Sequence, residues 1–244
     1  MTEFMKFTYD AYRGLINVLK DKGYIFADYH KYENYQKCVI MRHDIDYDLQ
    51  AALPMAQIEA DEGVKSTYFV LLRTEFYNPA SFNGVQALQK IQALGHEIGL
   101  HFDEATYEHK DVEVCTLIQR EAAILSDICQ TKIGTVSMHR PSSKTLEANY
   151  EIDGIVNTYG DIFFKKFKYL SDSRRNWREP VMDVVLNGEY DRLHILTHAF
   201  WYKDVDETLE TAVSKFVRSA NRERYAMLAD NIRDLRLIMT ENEI

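Results

Sequence analysis

The chain has 244 residues, 46% of them apolar, with only 10 glycines and 4 prolines: enough for one large domain with a substantial core, and nothing marks a second. Its 29 basic against 38 acidic residues leave a formal charge of −9, which argues against nucleic acid as a partner, because affinity for phosphate backbones comes largely from clustered Lys and Arg. The start, Met1-Thr2-Glu3-Phe4-Met5-Lys6, has no basic region followed by an apolar run, and no later stretch of roughly 18 residues is apolar and uncharged, so a soluble, cytoplasmic protein without a membrane span is expected.

Phe7 to Lys22 carries Tyr9, Tyr12, Ile16 and Leu19 at spacings of three and four, with Leu15 beside them, which predicts an amphipathic helix that Gly23 ends. Cys38 to Met41 is an apolar strand candidate, followed at once by the dense charge of Arg42-His43-Asp44-Ile45-Asp46. Leu49 to Glu62 reads as a helix in which Pro54 either sits in the first turn or bends it, and Ser66 to Leu72 as a buried strand. Val85, Leu88, Ile91 and Leu94 form a helical stripe that stops at Gly95. Glu97 to His101 reads as a strand, Val112 to Cys129 as a long helix and Thr135 to Met138 as a strand. Ile155 to Tyr159 and Phe167 to Leu170 are weaker strand candidates, Pro180 to Leu186 is a short helix, and Leu193 to His198 is a strand. From Val205 to about Ile238 there is no Gly or Pro, and Leu209, Val213, Phe216, Val217, Ala220, Leu228, Ile232 and Leu235 predict a long C-terminal helix on the outside of the domain. Cys38, Cys115 and Cys129 show no CxxC spacing and sit in apolar segments, as buried reduced thiols would.

Strand and helix alternation on this scale implies an α/β fold of about seven parallel strands, either a barrel or an open doubly wound sheet, and both gather function at the C-terminal strand ends. The polar residues that break the core pattern fall there: His43, Asp44 and Asp46; His101 and Asp103; His139 and Arg140; Asp172, Arg174 and Arg175; His198 and Trp201. Any one strand-end histidine is more often structural than catalytic, and Arg42 beside Asp44, or Arg174 beside Asp172, has a bland reading as a local ion pair. The bland reading must hold at five strand ends together.

Assembled, these residues resemble the polysaccharide deacetylase (NodB-homology, carbohydrate esterase) family, metal-dependent hydrolases on a distorted (β/α) barrel that remove acetyl groups from sugars. The resemblance runs from about Ile40 to Trp201. Arg42 to Asp46 looks like the family's first motif, usually Thr-Phe-Asp-Asp-Gly, which pairs a base with a metal ligand. Ser66-Thr67-Tyr68-Phe69 is similar to its second strand. Gly95-His96-Glu97-Ile98-Gly99-Leu100-His101 matches the segment that introduces its metal histidines. His139-Arg140-Pro141 is similar to its Arg-x-Pro segment, and Leu196-Thr197-His198 to the segment that supplies a catalytic histidine.

Two departures matter. The family's second metal histidine comes four residues after the first, and here that position is Ala105; Ile45 also separates the two aspartates. A third donor is therefore needed, with His139 the first choice, Asp103 or Glu104 next, and His43 and His109 behind them. The resemblance implies one domain of a distorted barrel over residues 38 to 204, flanked by the helices at 7 to 22 and 205 to 238. It further implies a divalent ion, zinc by expectation, on Asp46, His101 and His139. Asp44 would be the base, held by Arg140 or Arg42, and His198 the acid that protonates the leaving amine. Arg174, Trp177 and Trp201 would meet an acetylated sugar or sugar nucleotide, in surface polysaccharide assembly. Two alternatives stay open: an inactive barrel that binds a glycan or a protein, and an amidase of another small C–N substrate.

Overall fold

The structure is a computed structural model that describes residues 4 to 107 and 113 to 240. By contact density the chain divides into residues 1 to 204 and residues 205 to 244.

In the first unit, helix α1 (Tyr9–Asp21) starts where the Thr8 hydroxyl accepts the Ala11 N–H, and buries Tyr12, Leu15, Ile16 and Leu19. Gly23, at φ +78, turns the chain out of it, where a side chain would be strained. The rest follows as β1 (Ile25–Phe26), β2 (Cys38–Ile45), α2 (Ala52–Asp61), β3 (Thr67–Leu71), α3 (Phe82–Ala93), β4 (Glu97–Phe102) and α4 (Val114–Cys129). Then come β5 (Thr135–Met138), α5 (Ser143–Glu147), β6 (Val156–Asn157), α6 (Asp161–Lys165), β7 (Lys168–Ser171), α7 (Val181–Asn187) and β8 (Arg192–Thr197). The second unit holds α8 (Leu209–Asn231) and a 3-10 turn at Leu235–Leu237. Among the described residues no helix is long and apolar enough to cross a membrane.

Every strand pairing is parallel, in the order β6-β5-β4-β3-β2-β8-β7, with the two-residue β1 added beside the start of β2. No backbone pairing joins β6 to β7 among the described residues, so the barrel is open on that side. The sheet nevertheless curls. Thr158, just past edge strand β6, accepts a hydrogen bond at 3.0 Å from Arg42 on β2, four strand spacings away, or about 19 Å if the sheet were flat. Rings span the open side: Tyr159 packs on Phe164 at 5.2 Å, and Phe164 on Tyr169 of β7 at 4.9 Å. The fold is thus a curled half-barrel of parallel strands with helices outside, the distorted barrel that the family resemblance implies and one of the two architectures that the alternation of elements left open.

Four sequence expectations change. Strand β2 does not end before the charged cluster but runs through it, and all eight of its residues are buried. The short β1, α5 and α6 are too brief to show a period and escaped the sequence reading. The C-terminal helix covers 209 to 231 rather than 205 to 238; only Ala212 within it is buried, while Leu209, Val213, Val217, Leu228 and Ile232 of the predicted stripe are exposed. Cys38 and Cys129 are buried free thiols, but Cys115 is only half-buried.

Candidate metal centre and active site

Alternation along β2 sorts the charged cluster. Arg42, Asp44 and, one step past the strand, Asp46 point into the barrel, while His43 points to the helix layer. Inside, Arg42 is fully buried and donates to Asp44 Oδ2 at 2.9 Å, with its guanidinium over the rings of Tyr159 and Phe69. Ser137 Oγ on β5 donates to the same oxygen at 3.3 Å. Asp44 Oδ1 is buried and has no hydrogen-bond partner. On the other face His43 Nε2 is 2.9 Å from Glu59 Oε1 and Nδ1 is 2.6 Å from Thr197 Oγ1, a structural role that removes it from the set of ligands.

Asp46 sits where β2 ends, and Tyr77 pins that end by donating to Ile45 O at 2.8 Å while accepting the Leu71 N–H at 2.9 Å. Three imidazoles surround the Asp46 carboxylate. His101 Nε2 is 3.3 Å and His139 Nε2 3.9 Å from Oδ1, and His198 Nε2 is 3.7 Å from Oδ2. In a flat sheet β5 lies three spacings from β2, about 14 Å, so curvature is what brings His139 to Asp46.

Each imidazole is held by its other nitrogen. His101 Nδ1 is 3.3 Å from the Ser137 carbonyl, His139 Nδ1 is 3.0 Å from Asp103 Oδ2, and His198 Nδ1 is 2.6 Å from Asp172 Oδ1. A carbonyl and a carboxylate only accept, so Nδ1 carries the hydrogen in each ring and Nε2 of a neutral ring offers a lone pair. Asp46, His101 and His139 offer ligand atoms that all lie within 4.8 Å of one another. Asp46 Oδ1 is buried without a well-formed hydrogen bond. Acceptors that face one another in a buried site repel unless a cation lies among them, so this donor set fits a divalent ion.

Without an ion, protons on the imidazoles supply the positive charge that the carboxylate needs: burial would raise Asp46, but a hydrogen bond from His101, then the charge of His198, His101 and His139, outweigh it and hold the carboxyl down at about 2. Burial pulls His139 below the usual histidine range, with His101 adding to the effect. Burial pulls His198 down too, but Asp172, with Asp46 and Asp44 behind it, pushes the imidazole up to about 9. Asp172 is fully buried and also accepts the His198 N–H and the Tyr202 hydroxyl, each at 3.1 Å.

Other sequence candidates fall elsewhere. Arg140 does not reach Asp44; its Nη2 donates to Asp103 Oδ2 at 2.6 Å, and Arg42 holds the buried aspartate instead. Asp103 faces His139 rather than the three ligand atoms, while Glu104 turns away to accept the Ser142 N–H and the Thr145 hydroxyl at the start of α5. Arg174 is exposed in the left-handed turn after β7, and Asp172 pairs with His198 rather than with it. Trp177 is 2% exposed and lies in the core, so it offers no face to a substrate. Trp201 is also largely buried, against Tyr47 and Phe200 beside Asp46. His109 lies outside the described residues.

Sequence reasoning passed over Ser137 and Glu59. Glu59 was findable, because it stands on the buried face of α2, four residues after Met55 and three after Ala56, where a carboxylate needs partners.

The chain matches no protein-family profile and no curated protein sequence. It is similar to solved structures that include a family 4 carbohydrate esterase from Bacillus anthracis, at 14% identity over 85% of each chain with a TM-score of 0.43. Another is the catalytic domain of a peptidoglycan N-acetylglucosamine deacetylase from Eubacterium rectale, at 13% identity over 76% of this chain and 84% of that one, TM-score 0.44. A third is a family 4 pseudoenzyme from Bacillus anthracis, at 15% identity over 76% of this chain and 62% of that one, TM-score 0.44. These neighbours fall in the carbohydrate esterase and deacetylase group that the motifs resemble.

Proposed function

We propose that the protein is a divalent-metal-dependent hydrolase that removes an acetyl group from an amino sugar. The observation that carries this reading is the arrangement around Asp46: three imidazoles with Nδ1 held and Nε2 turned inward, beside a second aspartate whose Oδ2 is bound by Arg42 and Ser137 and lies 3.7 Å from His101 Nε2, and whose Oδ1 has no partner.

Asp46, His101 and His139 would hold the ion, zinc by preference for such a donor set. When bound, the ion supplies Lewis-acid polarisation of the amide carbonyl and acidifies the attacking water. Asp44 takes the water's proton on Oδ1, the oxygen left open because Arg42 and Ser137 occupy Oδ2. Arg42 cannot lose its own proton, so it holds the carboxylate and keeps an anion tolerable in the interior. His198 donates to the departing amine through Nε2, while Asp172 on Nδ1 fixes the ring and favours its protonated form. Tyr47, half-buried next to Asp46 and backed by the buried rings of Phe200 and Trp201, is the aromatic face suited to a sugar ring. The finer reading is an acetylated sugar on an anionic carrier such as a nucleotide, in surface polysaccharide assembly, with Arg174, exposed in the turn after Asp172, as the candidate cation.

The test is acetate release from N-acetylated sugars, sugar nucleotides and short oligosaccharides after chelation and after addition of Zn²⁺ or Co²⁺. Metal-dependent acetate is the expected result. No acetate from any of them, with the ion bound, would overturn the reading.

A further inference from the structure

In an extended strand neighbouring side chains leave on opposite faces. His139 and Arg140 are neighbours at the end of β5, yet Nδ1 of one and Nη2 of the other lie 3.0 Å and 2.6 Å from a single oxygen, Asp103 Oδ2. The left-handed backbone of Arg140, φ +48, supplies the reversal. Such a conformation is unfavourable for a residue with a side chain and persists where its surroundings enforce it. Asp103 is itself locked. Its carboxylate is 3% exposed, and Oδ1 accepts the Ala105 N–H at 3.0 Å, which starts the 3-10 turn Glu104–Thr106. One carboxylate therefore joins the end of β4 to the end of β5, with one oxygen for its own turn and the other for the histidine and the arginine. His139, 19% exposed, is the most open of the three residues around the ligand site and the one with the longest reach to Asp46. Without a fixed Nδ1 partner its ring could turn its lone pair to solvent.

We propose that Asp103, braced by Arg140, is the positioning residue that makes His139 a metal ligand: it holds Nδ1–H and so aims the Nε2 lone pair at Asp46. This rests on the reading of Asp46, His101 and His139 as a ligand set. The device supplies from the end of the next strand the imidazole that Ala105 does not provide in the turn after β4. Arg140, which the motif resemblance places against the base, acts at one remove on the ion instead.

Two measurements test it. First, Co²⁺ absorption titrations and Zn²⁺ competition with a chromogenic chelator give the affinity of wild type, Asp103→Asn and Arg140→Met. Loss of such a partner typically weakens metal binding about 10- to 100-fold, which is expected for Asp103→Asn, with a smaller loss for Arg140→Met. Second, nitrogen-15 NMR of the metal-free protein reads the histidine tautomers. His139 is expected as Nδ1–H in wild type, with that form lost in Asp103→Ala. Melting curves check folding; if the Asp103 variants do not fold, Arg140→Met, at a side chain 68% exposed, carries both measurements. Affinities unchanged within about twofold in folded variants, or a tautomer that does not depend on Asp103, would overturn the proposal. If wild type binds neither ion, the ligand set falls, while the tautomer still decides what Asp103 does to His139.

Discussion

At the residue scale the decisive feature is how the oxygens of two aspartates are divided. Asp44 has one oxygen bound by Arg42 and Ser137 and the other without a partner, whereas Asp46 has imidazoles on both sides. In the proposed reading that division makes Asp44 the base and Asp46 a ligand, and it makes separable predictions. Asp44→Asn is expected to lower turnover by about 10²- to 10⁴-fold, the usual worth of a general base, with the bound metal retained. His101→Ala is expected to abolish metal binding and activity together; metal content and acetate release on both variants check the pair. Arg42 makes a different prediction, because it is fully buried and answers a carboxylate only 3% exposed. Arg42→Met leaves that carboxylate unpaired in the interior, and the expected cost is about 3–5 kcal/mol of stability in urea denaturation, well beyond any effect of Arg140→Met.

At the element scale the same alternation that turns Asp44 inward turns His43 outward onto α2. There Glu59, wholly buried, accepts from Tyr12 of α1, from Ser66 and from Tyr68 of β3, each at 2.6 Å, and meets His43. One carboxylate thus ties two helices and two strands together. Burial would raise its pKa, but His43, His96 and the Ser66 hydrogen bond outweigh it and hold the carboxyl at about 2. Its folded value lies below the ordinary 4.5, so the unfolded chain binds the proton more readily, and the stability Glu59 contributes is present above pH 4.5 and lost as pH falls toward 2. Glu59→Gln is expected to cost about 3–5 kcal/mol at pH 7 and to flatten the fall of the urea midpoint below pH 4.5. An unchanged acid limb would show that another group carries it.

At the scale of the whole molecule, curvature turns residues on five strands into one site. The proposed ion bridges the ends of β2, β4 and β5, so it should stabilise the folded state. At a free Zn²⁺ concentration 100 times its dissociation constant the expected gain is about 2.7 kcal/mol, or roughly 5–10 °C in Tm for a chain of this size, reversed by a chelator and absent in His101→Ala.

Much of this was legible in the sequence, for reasons of local physics. Side-chain periods of two and near four, with glycines and caps at the ends, announced β2 to β5, β8 and α1 to α4, and their alternation announced parallel strands with polar groups at the C-terminal ends. Such signals arise within a dozen residues of chain. The sequence named His139 as first choice to join Asp46, but only the curl of the sheet brings the two together across three strands. The tertiary structure alone decided Arg42 rather than Arg140 on Asp44, Asp172 on His198, Trp177 in the core and Glu59 as a hub. Those pairings depend on how far the sheet curls and on which rotamers packing permits, quantities that no spacing along the chain contains.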